Sequence, residues 1–319
     1  MLLLGAGASI EEAKRANAPT EFWPPTIANF ATKMWDSEHN KFFVYWLPEY
    51  LRDQGIDPGN DPTSRFIQLA QNPETHINVE RLFEYCWLRK GRKFDRDWEN
   101  LIYHGILSPL NFLLLMAFYE NGEMKPLRAG TLIAGGLHDG DIVVNLNYDT
   151  LFEIAATRAG LVITYSPNTF RGGGLFVAKP HGSINLLADE THFWFAQPES
   201  IGALPSSADD FRNWRAIVPP RFNKSYEQHP IAAMILDSIR DARPEVVTFW
   251  GVGLTDSDAD LLELYRVWVG ASDVAEVINP DSNTLTVGRA RDLLRVPIRH
   301  FLSPEDWRAG APYRTESGK

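Results

Sequence analysis

The sequence predicts an α/β fold: a Rossmann-like, mostly parallel sheet covered by helices on both faces, with a large helical insertion after the first strand. Three observations carry this. Short continuous apolar runs recur at MLLL, DIVV, LFVA, VVTFW and VAEVI, the pattern of strands buried on both faces. Helix-compatible segments separate them, as crossovers between parallel strands require. Each run also stops at a Gly-containing or polar turn, and ligands of such sheets bind beyond the carboxyl ends of the strands.

Taken in order, MLLLGAGASI reads as a buried strand entering a helix through a turn built from Gly5, Ala6, Gly7 and Ser9. Glycines there let backbone approach a ligand, and the free amides of the next helix attract an anion such as a diphosphate. A tight turn with no ligand explains the same residues. The dehydrogenase pattern would need a third glycine where Ile10 stands and an acidic residue ending a second strand; Glu21 sits in a turn-rich stretch instead. IEEAKRANA is helical, and Pro24 and Pro25 stop it. From about 27 to 132 the apolar spacing is helical, so one domain is expected over 1–319, with a Rossmann-like core at about 1–26 and 133–319 and a helical insertion at about 27–132. The aromatic residues of the insertion read as core.

The strand signal resumes at Ile142 to Val144 in DIVVNLNYD, followed by the helix TLFEIAATRAG. LVITYS and LFVAKPHGS are further strands, with RGGG a flexible turn between them. Leu186 to Pro230 reads as an irregular excursion over the ligand site. VVTFWGVGL is a second strand leading to a Gly turn, DADLLELYRVWV a helix, and VAEVIN and VPIRHFL the last strands.

With 319 residues, 44% of them hydrophobic, the chain can bury a large core. Its net charge of −10 opposes general binding to nucleic acid or anionic membranes. The single Cys86 can form neither an intrachain disulfide nor a Cys-based zinc site, and the histidines lack metal-ligand spacing, so no metal is expected. ILSPLNFLLLMAFY contains Pro109 and Asn111 and reads as a buried helix, not a membrane span. No basic segment precedes the first apolar run, and the expected location is cytoplasmic. Met1 lies almost on the first strand, which raises the expectation that the natural chain starts earlier or that this is an excised domain.

Five strand ends supply the candidate site. Asn147 and Asp149 of NLNYD either cap the following helix or orient a water or ribose hydroxyl and accept from a carboxamide, with Asn145 able to replace Asn147. His181 of KPHGS is either a structural histidine or a base near neutral pH. Gly251 and Gly253 of GVGLTDSDAD repeat the logic of the first turn, and Asp256 and Asp258 suit capping better than contact with a diphosphate. Asn279 and Asp281 of VINPD could bind ribose hydroxyls or simply form a turn.

The ordered set GAGAS, NLNYD, KPHGS, GVGL and VIN resembles the sirtuin superfamily. WPPT, NVERLF, NYDTLFE and HGSIN are similar to segments of its bacterial anti-phage defence branch, over about residues 1 to 300. The resemblance implies that Gly5, Ala6, Gly7 and Ser9 hold the diphosphate and ribose of NAD+, that Asn147 and His181 are the catalytic pair, and that Asp149 faces the nicotinamide amide. Gly251, Gly253 and Asn279 would hold the adenosine half. Deacylase sirtuins carry a four-Cys zinc ribbon after the catalytic His, which a chain with only Cys86 cannot build. The expected function is therefore hydrolysis of NAD+ to nicotinamide and ADP-ribose, depleting NAD+ in infected cells, with activity gated by self-association or by a defence partner protein. The alternatives are a non-catalytic sensor of NAD+ or ADP-ribose and, less favoured, a deacylase.

Overall fold

The computed structural model describes residues 1–35, 46–72, 74–89, 96–165, 173–188, 193–196, 217–221, 225–254, 259–272, 274–280 and 285–310. In chain order the elements begin with β1 (Leu2–Leu4), α1 (Ala6–Arg15), α2 (Phe30–Met34), α3 (Trp46–Asp53), α4 (Pro62–Ala70), α5 (Val79–Arg89), α6 (Arg96–Ile102) and α7 (Ser108–Phe118). A small hairpin, β2 (Tyr119–Glu120) and β3 (Glu123–Met124), leads to α8 (Arg128–Ala134), β4 (Ile142–Asn145), α9 (Leu151–Arg158), β5 (Ile163–Thr164) and β6 (Leu175–Ala178). The hairpin β7 (Leu186–Ala188) and β8 (Phe193–Phe195) precedes α10 (Pro230–Ile239), β9 (Val246–Trp250), α11 (Ala259–Gly270), β10 (Val274–Ile278), α12 (Leu285–Leu294), β11 (Ile298–Phe301) and α13 (Pro304–Gly310).

Seven strands form one parallel sheet in the order β11-β10-β9-β1-β4-β6-β5, so the α/β class read from the apolar runs is the fold observed. Side chains alternate between its faces, as a pleated strand requires. Leu3, Val144, Val247 and Val277 pack with α10, α11 and α12, whereas Leu2, Leu4, Val143 and Val177 pack with α1, α8, α9 and α13. β1 lies between β4 and β9, and the chain departs from it in both directions, which makes the β1/β9 border the topological switch point.

Register decides where the loops meet. Leu4 pairs with both Asn145 and Trp250, Trp250 with Ile278, and Ile278 with Phe301, so the carboxyl ends of four neighbouring strands and β4 stand level. Gly5, Leu146, Gly251 and Asn279 are therefore the first residues past one straight edge.

The chain between β1 and β4 is largely helical and has its own apolar cluster, including Trp35, Tyr50, Phe66, Phe83, Trp87 and Trp98, joined to the sheet layer through Leu151, Ile154 and Ala155. The 27–132 boundary cuts through α8, which packs on α1, α9 and α13 with Ala129 and Ile133 in the sheet-side core. Helical spacing marks a helix without saying which body it covers. Asp97–Phe118 runs as one apolar helix with a π turn at Tyr103–Leu107; it has the length and composition to cross a bilayer, but 61% of it is buried in the fold. Elements that the apolar-run reading passes over are the two hairpins, α10, α12 and α13. The turn residues 171–172, most of the 186–230 excursion, Asp256, Asp258 and Asp281 lie outside the described residues.

Candidate functional site

A cavity of about 630 Å³ opens along the level strand ends, between the sheet edge and the helical region. Its volume is within the range of about 300–1,000 Å³ usual for small-molecule and cofactor sites. The ten residues to which the resemblance gives a role all line it: Gly5, Ala6, Gly7, Ser9, Asn147, Asp149, His181, Gly251, Gly253 and Asn279, whereas Asn145, the alternative to Asn147, does not. The opposite wall is mostly apolar and comes from Pro24, Pro25, Phe30, Met34 and Leu110, with the Glu80 carboxylate among them. Exposed Lys14 adds a cation from α1 and lies 5.5 Å from the centre of the Trp23 ring.

The two glycine turns hold each other. The Gly7 amide donates to the Gly251 carbonyl at 3.0 Å, and the Gly5 amide to the Trp250 carbonyl at 3.0 Å. A Cβ on Gly5 would sit 2.5 Å from the Gly251 oxygen, one on Gly7 would sit 2.7 Å from the Gly251 Cα, and Gly251 itself has φ +66°. These glycines are required because two backbone turns lock together, before any ligand is considered. The Ala6 amide, at the first turn of α1, is left on the cavity wall with no hydrogen-bond partner among the described residues, where the positive end of the helix favours an anion.

Beyond β4 the side chains hold one another. The Asn147 amide nitrogen donates to the Gly5 carbonyl and to Ser9 Oγ, both at 3.0 Å. A carbonyl can only accept, so both amide hydrogens are spent and Asn147 can meet a ligand only as an acceptor through Oδ1. Ser9 Oγ donates to Asp149 Oδ2 at 2.7 Å, and Asp149 Oδ1 accepts from the Leu151 amide at 3.1 Å. The structure thus realises the capping reading of Asp149 at the start of α9 and turns the Ser9 hydrogen away from any diphosphate.

Behind this loop lies a buried network that sequence reading missed. Lys179 Nζ lies 2.7 Å from Glu153 Oε1 and donates to the Asp149 carbonyl at 2.6 Å; both side chains of the pair are fully buried. Asn145 donates to Glu153 and accepts from the Asn147 amide at 3.0 Å. Burial pushes the Glu153 carboxyl above its ordinary range, and the Lys179 ammonium pulls it back. The signal available in sequence was a lysine directly after an apolar strand, which needs an anionic partner if buried.

His181 is nearly buried. Its Nδ1 meets the Leu146 carbonyl at 2.9 Å, so Nδ1 carries a hydrogen; with the ring neutral, Nε2 is the acceptor for the Tyr226 hydroxyl 2.6 Å away. The segment 217–221 straps across: the Val218 amide donates to the His181 carbonyl at 3.0 Å, and Tyr148 Oη to the Val218 carbonyl at 2.7 Å. It is anchored by fully buried Arg221, which donates to His229 at 3.0 Å and lies 5.0 Å over the Trp87 ring of α5. Burial, with the Arg221 charge adding, pushes His229 down to about 3 and keeps it a neutral acceptor. Asn279, at the end of β10, is held by its backbone to Phe301 and to the His300 ring.

Among the described residues no group of three or more His, Cys, Asp or Glu is placed to hold a metal ion. No protein-family model matches the chain, and no curated protein is similar to it.

Proposed function

We propose that the protein is an enzyme that binds a dinucleotide at the switch point of its sheet and breaks an N-glycosidic bond in it. The substrate in this reading is NAD+, hydrolysed to nicotinamide and ADP-ribose. What carries the reading is the convergence of Asn147 and His181 with the amino end of α1 and with Asn279 on one cavity.

The chemistry needs little. Nicotinamide leaves as a neutral molecule from a cationic ring, so the site must stabilise an oxocarbenium-like carbon and place a water. The diphosphate would lie at the Ala6 amide, with Lys14 as its counter-charge, and Asn279 would serve the adenosine ribose. Asn147, already fixed by Gly5 and Ser9, would orient the water or a ribose hydroxyl through Oδ1. Water oxygen bonds to the ribose carbon as the bond to nicotinamide breaks, and the released proton passes to His181 Nε2. Asp149 braces Ser9 and Asn147, and its remaining lone pairs can accept from the nicotinamide amide. Such an activity would drain its own host, which fits an NAD+-depleting effector of anti-phage defence held in check by self-association or by a partner protein.

Following nicotinamide release from NAD+ by the purified protein tests this directly. Asn147→Ala and His181→Ala should each lower the rate by about 100-fold or more; full rates in both variants would remove the proposed mechanism. A second reading, a sensor that binds without turnover, is favoured by one observation: the His181 ring nitrogens and the Asn147 amide hydrogens are all engaged by protein. Calorimetric binding of NAD+ with no nicotinamide released would select it.

A further inference from the structure

We infer that Tyr226 is a positioning residue that holds His181 at rest by capping the ring nitrogen needed as the proton acceptor; its functional meaning rests on the hydrolase reading above. The Leu146 carbonyl fixes the hydrogen on Nδ1, so the lone pair is on Nε2, and the phenol of Tyr226 sits on that lone pair at 2.6 Å. The two rings are nearly parallel, 4° apart with centres separated by 5.9 Å, which leaves the phenol little freedom to swing without moving its backbone.

That backbone is itself held. Tyr226 opens a short 3-10 turn, Tyr226–Gln228, whose Gln228 accepts from the Trp87 indole at 3.2 Å and whose next residue, His229, stacks on the same Trp87. Upstream, Val218 binds the His181 carbonyl. One stretch of chain therefore grips His181 by its backbone and by its ring, and is fastened to α5.

Tyr226 is 3% exposed and does not contribute to the described cavity wall, whereas His181 does. For Nε2 to take a proton from the cavity, the Tyr226 hydrogen bond must open first. The contact is an autoinhibitory one, and α5 is the element through which a binding event could loosen it.

Tyr226→Phe keeps the ring and its stacking and removes only the hydroxyl. Carbethoxylation by diethyl pyrocarbonate, mapped to His181 by mass spectrometry, should become about fivefold faster, the factor that corresponds to losing a buried neutral hydrogen bond of about 1 kcal/mol. Nicotinamide release from NAD+ should rise by a similar factor. Unchanged His181 modification overturns the inference whatever the activity does, and faster modification with slower release overturns it by making Tyr226 a supporting residue of the active form. Faster modification with no release from either protein upholds the restraint and removes the hydrolase reading. The wild-type protein offers a check that needs no variant: nitrogen-15 histidine NMR of the neutral His181 ring should show its hydrogen on Nδ1, and a ring protonated on Nε2 alone would overturn the assignment.

Discussion

The two walls that the sheet edge gives the cavity are built on opposite principles. The wall formed by the β1 and β9 turns is backbone against backbone: Gly5, Gly7 and Gly251 interlock with no room for a Cβ and no side chain to lend chemistry. The wall formed by the β4 and β6 ends is side chain against side chain: Asn147 and Asp149 bond Ser9 of α1, the buried Lys179–Glu153 pair holds Asn145 and the Asp149 carbonyl, and His181 meets Tyr226. The first wall sets a shape and should fail sterically, independently of pH. The second sets protonation states and should fail through charge.

The largest effect should come from breaking the first wall. An alanine at 251 meets a φ of +66° and drives its methyl into the backbone of Gly7 and Ala8. Left-handed strain of about 1–3 kcal/mol adds to overpacking of about 1–3 kcal/mol, so Gly251→Ala should cost about 2–6 kcal/mol or fail to fold. Chemical denaturation at two pH values measures it. A cost that changes strongly with pH would mean that the wall is not purely steric.

Next comes the charge pair of the second wall. Lys179→Met leaves the Glu153 carboxylate buried without its ammonium and should cost about 3–5 kcal/mol. Adding Glu153→Leu removes the stranded charge, so the double variant should be more stable than Lys179→Met alone even though Asn145 and the Asp149 carbonyl lose partners. Equal losses in the single and double variants would show that the pair matters for packing and not for charge.

The same contrast explains what the sequence could and could not disclose. The strands were legible because MLLL, IVV, LFVA, VVTFW and VAEVI are continuous apolar runs, and the site was legible because Asn147, His181 and Asn279 stand directly past their ends. The interlock of the glycines was not legible, since the partner of Gly5 and Gly7 is more than 240 positions away at Gly251. The partners of Lys179 and Tyr226 were invisible for the same reason: Glu153 and His181 stand 26 and 45 residues away, and no local pattern specifies them. α10 could have been found, because Pro230 at its first turn is a helix-start signal and PIAAMILDSI an apolar stretch. α12 and α13 follow weakly patterned stretches, and helix packing against the sheet decides them.

Glu12 sharpens the comparison, because it sits on the helix of the steric wall yet behaves as part of the polar one. It is 3% exposed, accepts from the Gly130 amide, and faces a small cavity of about 10 Å³ shared with Ser9, Asn147 and Asp149. Burial raises its carboxyl from 4.5 to about 6; the backbone bonds to Gly130 and Ala129 and the Arg15 charge oppose this, and Glu11 adds to it. A carboxyl whose folded value lies above its unfolded value binds more protons when folded, so its contribution is complete below pH 4.5 and is lost as pH rises through 6. The 1.5-unit difference corresponds to about 2 kcal/mol. Glu12→Gln keeps the acceptor for Gly130 and cannot titrate, so the wild type should lose about 2 kcal/mol relative to this variant between pH 4.5 and 7, read from urea midpoints at both values. Parallel pH profiles for the two proteins would place Glu12 with the glycines, as part of the wall that only fills space.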